Sequence, residues 1–65
     1  MYEDIATVLR GGPLDGRLDT VPAARRPRYF DTLDGGWAVY VLTDEVEGDR
    51  RVLRYEHGSE VFVAA

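Results

Sequence analysis

The sequence lacks cysteine and lysine and contains a single histidine, and these absences exclude several kinds of chemistry. Without cysteine the chain forms neither disulfides nor a thiolate metal site. His57 alone does not supply the three or four ligands of a zinc centre. The absence of lysine and cysteine also excludes Schiff-base and thiolate catalysis. We therefore predict that the protein holds no metal and no cofactor.

Long hydrophobic runs and excess positive charge are also absent. The longest apolar run, Trp37 to Leu42, is too short to cross a bilayer. The acidic start, Met1 to Asp4, differs from the basic start of a secretory signal. The net charge of −4 argues against non-specific binding to nucleic acid, which depends on neutralising phosphates. The sequence predicts a soluble cytoplasmic protein that binds neither membranes nor nucleic acid in general.

With 65 residues, the chain has room for one domain, residues 1–65. A domain of this size buries only roughly 60% of the surface that its unfolded chain exposes, so its core is thin. Disulfides, a metal or oligomerisation usually stabilise such chains. Since the first two are excluded, we expect a homo-oligomer, docking on a larger partner, or an unusually well packed core.

Glycines and prolines divide the sequence at regular intervals into short segments rich in β-branched and aromatic residues. This spacing predicts an all-β domain: a small antiparallel meander of five to six short strands, forming a curled sheet or small barrel. The segment Trp37 to Leu42 is apolar on both faces and should be a central strand. Residues 2–10 also fit helical spacing, although Thr7-Val8 favours a strand. The strands are predicted at 5–10, 17–21, 28–33, 37–43, 50–56 and 60–64.

The segment Gly11-Gly12-Pro13-Leu14-Asp15-Gly16 joins the first two predicted strands. Its residue types suit a turn, because glycine tolerates positive φ and proline presets its own φ. The same backbone could instead present Gly11, Gly12 and Gly16 amides to an anion. It matches neither the P-loop nor the dinucleotide-binding pattern.

The most suggestive segment for binding places Arg25, Arg26 and Arg28 beside Tyr29 in a loop bounded by prolines. Arginine forks bind phosphate, and an aromatic ring stacks on a base, so these residues together with Trp37 predict a ligand site. The alternatives are structural. All eight basic residues are arginine, which is also typical of a GC-rich genome. Trp37, and either Tyr29 or Phe30, are also candidates for the core.

Catalytic and calcium-binding patterns are weak. His57 and Ser59 lie two residues apart, without a nucleophile elbow or oxyanion loop, so we predict that the protein is not an enzyme. The acidic stretch 44–49 lacks the ligand spacing of an EF-hand and is interpreted as a solvated turn.

The N-terminal third resembles a known group of proteins. An apolar strand, the Gly-Gly-Pro-x-Asp-Gly turn and a short strand ending in Val21-Pro22 resemble small proteins of actinobacteria and their bacteriophages. These proteins often have a later tyrosine-rich hairpin, comparable to Tyr40 and Arg54-Tyr55-Glu56. The group has no agreed biochemical activity, so the resemblance implies a context, that of a phage-type accessory protein in the host cytoplasm or on the virion.

Two functions follow from these observations. The first is anti-defence binding, in which the protein sequesters a phosphorylated or nucleotide-like host signal at a homo-oligomer interface, since so short a chain cannot enclose a large pocket alone. The second is a virion accessory subunit, or an inhibitor that docks on a host protein by edge-strand pairing. The strand that begins at Arg50, or Val61-Phe62-Val63, would supply the edge.

Overall fold

The computed structural model describes residues 3–24 and 26–59, which form a single five-stranded sheet. These two segments contain no helix, so the predicted all-β curled sheet is confirmed. The N-terminal segment with helical spacing is a strand. The predicted sixth strand, 60–64, lies outside the described residues. The strands are β1 (Asp4–Arg10), β2 (Leu18–Pro22), β3 (Arg28–Asp31), β4 (Trp37–Glu47) and β5 (Arg50–Gly58).

The strand order is β2-β1-β5-β4-β3. β1 pairs with β2, β4 with β3 and β5 with β4 in antiparallel fashion, whereas β1 and β5 run parallel. The curled sheet is therefore mixed rather than wholly antiparallel. The prediction that the strand beginning at Arg50 supplies an exposed edge is wrong. β5 is interior, and the edge strands of the described sheet are β2 and β3. Val52 and Leu53 of β5 are both buried although they point to opposite faces, as is typical of an interior strand.

The main buried cluster lies on the inner face of the curled sheet, which forms a half-barrel, and Val8, Val39 and Val52 are buried on its outer face. β4 lies between β3 and β5, as its two apolar faces predicted. The ring of Tyr40 is fully buried and meets the Phe30 ring edge-on at 5.7 Å between centroids. Thr7, the buried polar residue of β1, donates its hydroxyl to the Asp19 carbonyl at 3.1 Å. The buried cluster comprises Leu9, Val21, Ala38, Tyr40, Leu42 and Leu53, with Ile5, Leu14 and Phe30 packed against it.

The β4–β5 ladder has two irregularities, between Val39 and Tyr40 and between Leu42 and Val46. The extra residue of the first, Glu56, belongs to β5, whereas the extra residues of the second belong to β4. Bulges of this kind increase twist and bend a strand, which curls the sheet. At the second, the guanidinium of Arg51 donates to the Thr43 carbonyl from Nε at 2.9 Å and Nη2 at 2.7 Å. The side chain thus satisfies a carbonyl that the interrupted ladder leaves unpaired.

Arginine side chains also connect the two edge strands. Nη2 of Arg28, on β3, donates to the carbonyl of Pro22, on β2, at 3.2 Å. The guanidinium of Arg17, which precedes β2, lies 5.5 Å from the centroid of the Phe30 ring on β3. These contacts link the edges of the half-barrel without backbone pairing between them.

Candidate binding face

The predicted arginine–aromatic site does not assemble around Arg28. Adjacent residues on a strand point to opposite faces, so Arg28 points inward with Phe30 while Tyr29 points outward. The Arg28 guanidinium is occupied by the Pro22 carbonyl, and its Nε is buried without a hydrogen-bond partner. Arg26 is exposed, and Arg25 lies outside the described residues. Arg28 is therefore directed away from the ring that was expected to share its ligand.

The glycine-rich turn uses the amides of Gly11, Leu14 and Gly16 internally. The Gly11 amide donates to Asp15 Oδ1 at 2.7 Å, the Leu14 amide to the Tyr40 hydroxyl at 3.0 Å and the Gly16 amide to the Leu9 carbonyl at 2.6 Å. The Asp15 carboxylate thus occupies the position where a bound anion would meet the Gly11 amide. Gly12 packs against Tyr55 and has a φ of +64°. This geometry favours the interpretation of the segment as a turn.

Tyr29, Trp37 and His57 form a row of rings, which we call the aromatic row, on the outer face of β3, β4 and β5. The Tyr29 and Trp37 centroids are 5.8 Å apart at an interplanar angle of 44°. The Trp37 and His57 rings meet edge-on at 5.7 Å. Tyr29 is 71% exposed and Trp37 39% exposed, so the interpretation of Trp37 as a core residue is wrong, and of Tyr29 and Phe30 it is Phe30 that packs against the core. Tyr40 fills the core instead. The structure brings together two of the predicted ligand residues.

The backbone beneath Trp37 is held from both sides. The Trp37 amide donates to Ser59 Oγ at 2.9 Å, and the Ser59 amide donates to the Trp37 carbonyl at 2.9 Å. Gly58 permits this approach, because a Cβ at that position would lie 2.6 Å from the Trp37 carbonyl oxygen. Ser59 is therefore committed to the backbone of Trp37, which gives it a structural role beside His57.

Carboxylates flank the aromatic row on two sides. Asp31 is the direct cross-strand partner of Trp37, and direct partners project to the same face. Glu56 Oε1 lies 3.4 Å from Nδ1 of His57. Both carboxylates belong to exposed residues. The outer face at this end of the sheet is thus aromatic and acidic.

The edge strands offer little for strand addition. The outward-pointing amide of Thr20, on β2, donates to Asp19 Oδ1 at 2.8 Å. Pro22 has no amide hydrogen, and its carbonyl accepts from Arg28. β3 has only four residues and follows Pro27. Occupied groups, prolines and short length all reduce the tendency of an edge to pair with another chain. The outer face of the sheet is therefore a better candidate for binding another molecule than the edges of β2 and β3.

A cleft of about 220 Å³ lies between the glycine-rich turn and the β3–β4 turn. Its one ionisable group is the carboxylate of Asp34, which accepts from the Thr32 hydroxyl and from the Gly36 amide at 3.3 Å. These bonds, the Thr32 bond first, lower the pKa of Asp34 below its usual range. The cleft is smaller than typical ligand pockets and carries negative charge, so it does not suit a phosphate. It is lined by Pro13, Leu14, Thr32, Leu33 and Asp34.

Within residues 3–24 and 26–59, no three His, Asp or Glu side chains are grouped as a metal site would require. The same segments contain no helix with the length and apolar character needed to cross a membrane. The chain matches no protein-family model, no curated protein and no solved structure. Its function must therefore be argued from the aromatic row and its surroundings.

Sequence reasoning missed His57 and Asp31 as neighbours of Trp37, and Glu56 as the carboxylate beside His57. The register of the β3–β4 hairpin was the available signal. A turn centred on Asp34 pairs Asp31 with Trp37 and sets Tyr29 diagonally beside it. The positions of His57 and Glu56 on β5 were harder to predict, because the irregularity between Val39 and Tyr40 shifts the register of β5 against β4.

Proposed function

We propose that this chain is a non-enzymatic binding module that docks on a partner protein through the aromatic row. The exposure of Trp37 carries the proposal. A 65-residue domain has few large apolar side chains for its core, yet its only tryptophan lies outside it. Tryptophan and tyrosine are enriched in protein interfaces and dominate their binding energy.

Rigidity supports the same proposal. Trp37 is fixed through Ser59, and its ring is in contact with Tyr29 on one side and His57 on the other. A ring that is already ordered loses little conformational entropy on binding, so more of the contact energy appears as affinity. Face docking also fits the occupied β2 edge better than strand addition does.

The biological setting remains a prediction from the N-terminal turn. In that setting the protein is a phage-type accessory factor that binds a host protein or a virion component. The partner could also be a second copy of the chain, which would make the module a homo-oligomer.

Sequestration of a phosphorylated or nucleotide-like ligand remains a second prediction with less geometric support. The paired rings of Tyr29 and Trp37 would stack on a base. However, Arg28 points to the opposite face, which leaves Arg26 as the described guanidinium of that segment free to approach.

The test is affinity capture from host extract with the wild-type protein and the double variant Tyr29→Ser/Trp37→Ser. Leu33→Ser is the matched control, since Leu33 is a fully exposed apolar side chain on the β3–β4 turn. We expect one discrete protein to be retained by wild type and by Leu33→Ser and lost with the double variant, while circular dichroism reports unchanged folding.

Retention of the same protein by the folded double variant would overturn the proposal. Sedimentation equilibrium identifies the case of a second copy, because the wild type would then exceed the monomer mass and the double variant would not. Thermal stabilisation by nucleotides that requires Arg26, without a protein partner, would favour the small-ligand function instead.

A further inference from the structure

The charged residues around the aromatic row indicate the charge that a docked partner should carry. Asp31 lies directly opposite Trp37 on β3, and Glu56 lies beside His57 on β5. Asp31 thus lies directly beside the exposed indole, and Glu56 lies one ring further along the aromatic row. The face of an aromatic ring carries partial negative charge, which adds to the potential of the two carboxylates.

Within residues 3–24 and 26–59, most arginines are committed elsewhere, and none of them forms an ion pair with Asp31 or Glu56. Arg10 and Arg54 are bound to Glu47 and Glu45 through paired nitrogen–oxygen contacts. Arg50 Nη1 donates to the Thr7 carbonyl at 3.1 Å. Among the described arginines, those whose guanidinium groups have contacts inside the chain are Arg10, Arg17, Arg28, Arg50, Arg51 and Arg54.

We infer that the aromatic row is a site for an arginine side chain presented by the partner protein, an inference that rests on the proposed docking function. The guanidinium would stack on Trp37 and Tyr29 and pair with Asp31 or Glu56. Arginine fits better than lysine because its planar group stacks on rings and forms forked bonds to carboxylates at once. A second copy is a poor source, since most of its own guanidiniums are held internally.

The first experiment measures the local potential at Trp37, whose fluorescence is free of overlap from other tryptophans. Caesium, iodide and acrylamide quench the ring as cationic, anionic and neutral probes. Acrylamide quenching reports the accessibility of the ring without an effect of charge. Relative to that accessibility, we expect caesium to quench more and iodide to quench less. In Asp31→Asn/Glu56→Gln this difference should shrink.

The control variant, Asp4→Asn/Asp49→Asn, removes the same net charge at the other end of the sheet. It should leave the difference unchanged, because exposed charges more than a Debye length away are screened. Equal quenching by caesium and iodide in wild type, or an equal response of the two double variants, would overturn the inference.

The second experiment titrates the protein with a blocked Gly-Arg-Gly-Arg-Gly peptide and with its citrulline and lysine analogues, followed by Trp37 emission and amide chemical shifts. Citrulline keeps the shape of arginine and removes its charge. We expect the affinity for the peptide to decrease in the order arginine, lysine, citrulline. Loss of one ring or one carboxylate, as in Tyr29→Leu or Asp31→Asn, should weaken the arginine peptide by about two- to fivefold. Equal binding of the citrulline peptide would overturn the inference.

The captured partner separates this inference from the docking proposal. A partner that requires Tyr29 and Trp37 but binds Asp31→Asn/Glu56→Gln as tightly as wild type leaves docking intact and refutes the arginine site. A partner that binds Tyr29→Ser/Trp37→Ser as tightly as wild type refutes docking through the aromatic row. Loss of binding in both variants, with retention by Asp4→Asn/Asp49→Asn, supports both.

Discussion

The phenolic oxygen of Tyr40 lies 2.6 Å from the carbonyl oxygen of Gly11, to which it donates a hydrogen bond. The same oxygen accepts from the Leu14 amide at 3.0 Å. One hydroxyl from a central strand thus satisfies two backbone groups of the glycine-rich turn. The turn is held from inside the half-barrel as well as by its own residues, and the Leu14 amide is therefore unavailable to a ligand.

Replacing Tyr40 with phenylalanine should lower the free energy of unfolding by about 1–3 kcal/mol. The substitution keeps the buried ring but leaves the Gly11 carbonyl and Leu14 amide without their partner, and unsatisfied part-buried groups carry a cost of this size. Urea denaturation followed by Trp37 fluorescence measures it. Tyr29→Phe, which removes an exposed hydroxyl, should stay within about 0.5 kcal/mol of wild type. Equal effects of the two variants would contradict the prediction.

The same tyrosine should make the protein sensitive to alkaline pH. Burial, opposed in part by the bond from Leu14, raises the pKa of Tyr40 above its ordinary value of 10.0. Because the folded state holds this proton more tightly, its contribution to stability is complete below pH 10.0 and is lost as the pH rises above that value towards the raised pKa. Unfolding midpoints in urea measured at pH values on both sides of 10 should therefore fall more steeply for wild type than for Tyr40→Phe.

Gly12→Ala should destabilise the protein more than Gly35→Ala. Both glycines have positive φ, +64° and +83°, so alanine at either position pays a similar backbone cost, about 1–2 kcal/mol. A Cβ at Gly12 would also lie 2.4 Å from Cδ1 of Tyr55, whereas one at Gly35 meets nothing within 4 Å. The overlap should add about 1–3 kcal/mol.

Thermal melting by circular dichroism compares the two variants. A double variant, Gly12→Ala with Tyr55→Ala, should recover the steric part of the loss, leaving the costs of the altered backbone and the truncated ring. Equal melting temperatures for the two single variants would contradict a packing role for Gly12.

Sequence patterns predicted the local parts of this fold and missed the parts that depend on distant pairing. Alternation and turn residues located β1 to β5, and the two-sided apolar pattern identified β4 as central. Nothing local indicated that β5 would insert between β1 and β4. The pairs Val8–Val52 and Leu9–Leu53 join residues far apart in the sequence, which no local pattern reports.

The candidate site shows the same division. Tyr29 and Trp37 were identified as binding residues, and the hairpin register brings them together. Arg28 was assigned to the same ligand because it adjoins Tyr29 in sequence, but adjacency on a strand places two side chains on opposite faces. Tyr40 took the core position that was considered for Trp37, since its hydroxyl finds partners in the glycine-rich turn.

Acid should destabilise the protein through two ion pairs on the outer face. Arg10 and Arg54 are direct partners in the β1–β5 ladder and would repel each other if Glu47 and Glu45 did not bind them. Hydrogen bonds from these arginines, and then their charge, lower the pKa of both glutamates below the ordinary value of 4.5. The unfolded state therefore binds more protons in this range. The stabilisation is present above pH 4.5 and is lost as the pH falls through the lowered values.

Urea midpoints measured from pH 7 to pH 2 should fall more steeply below pH 4.5 for wild type than for Arg10→Gln, and 1 M salt should reduce the difference by screening. At neutral pH the variant should lose little, because both partners are solvent-exposed. Arg26→Gln, in an exposed loop, should follow the wild-type profile. If Arg10→Gln kept the full acid dependence of the wild type, the ion pair between Arg10 and Glu47 would not be a source of that dependence, and the prediction would be wrong.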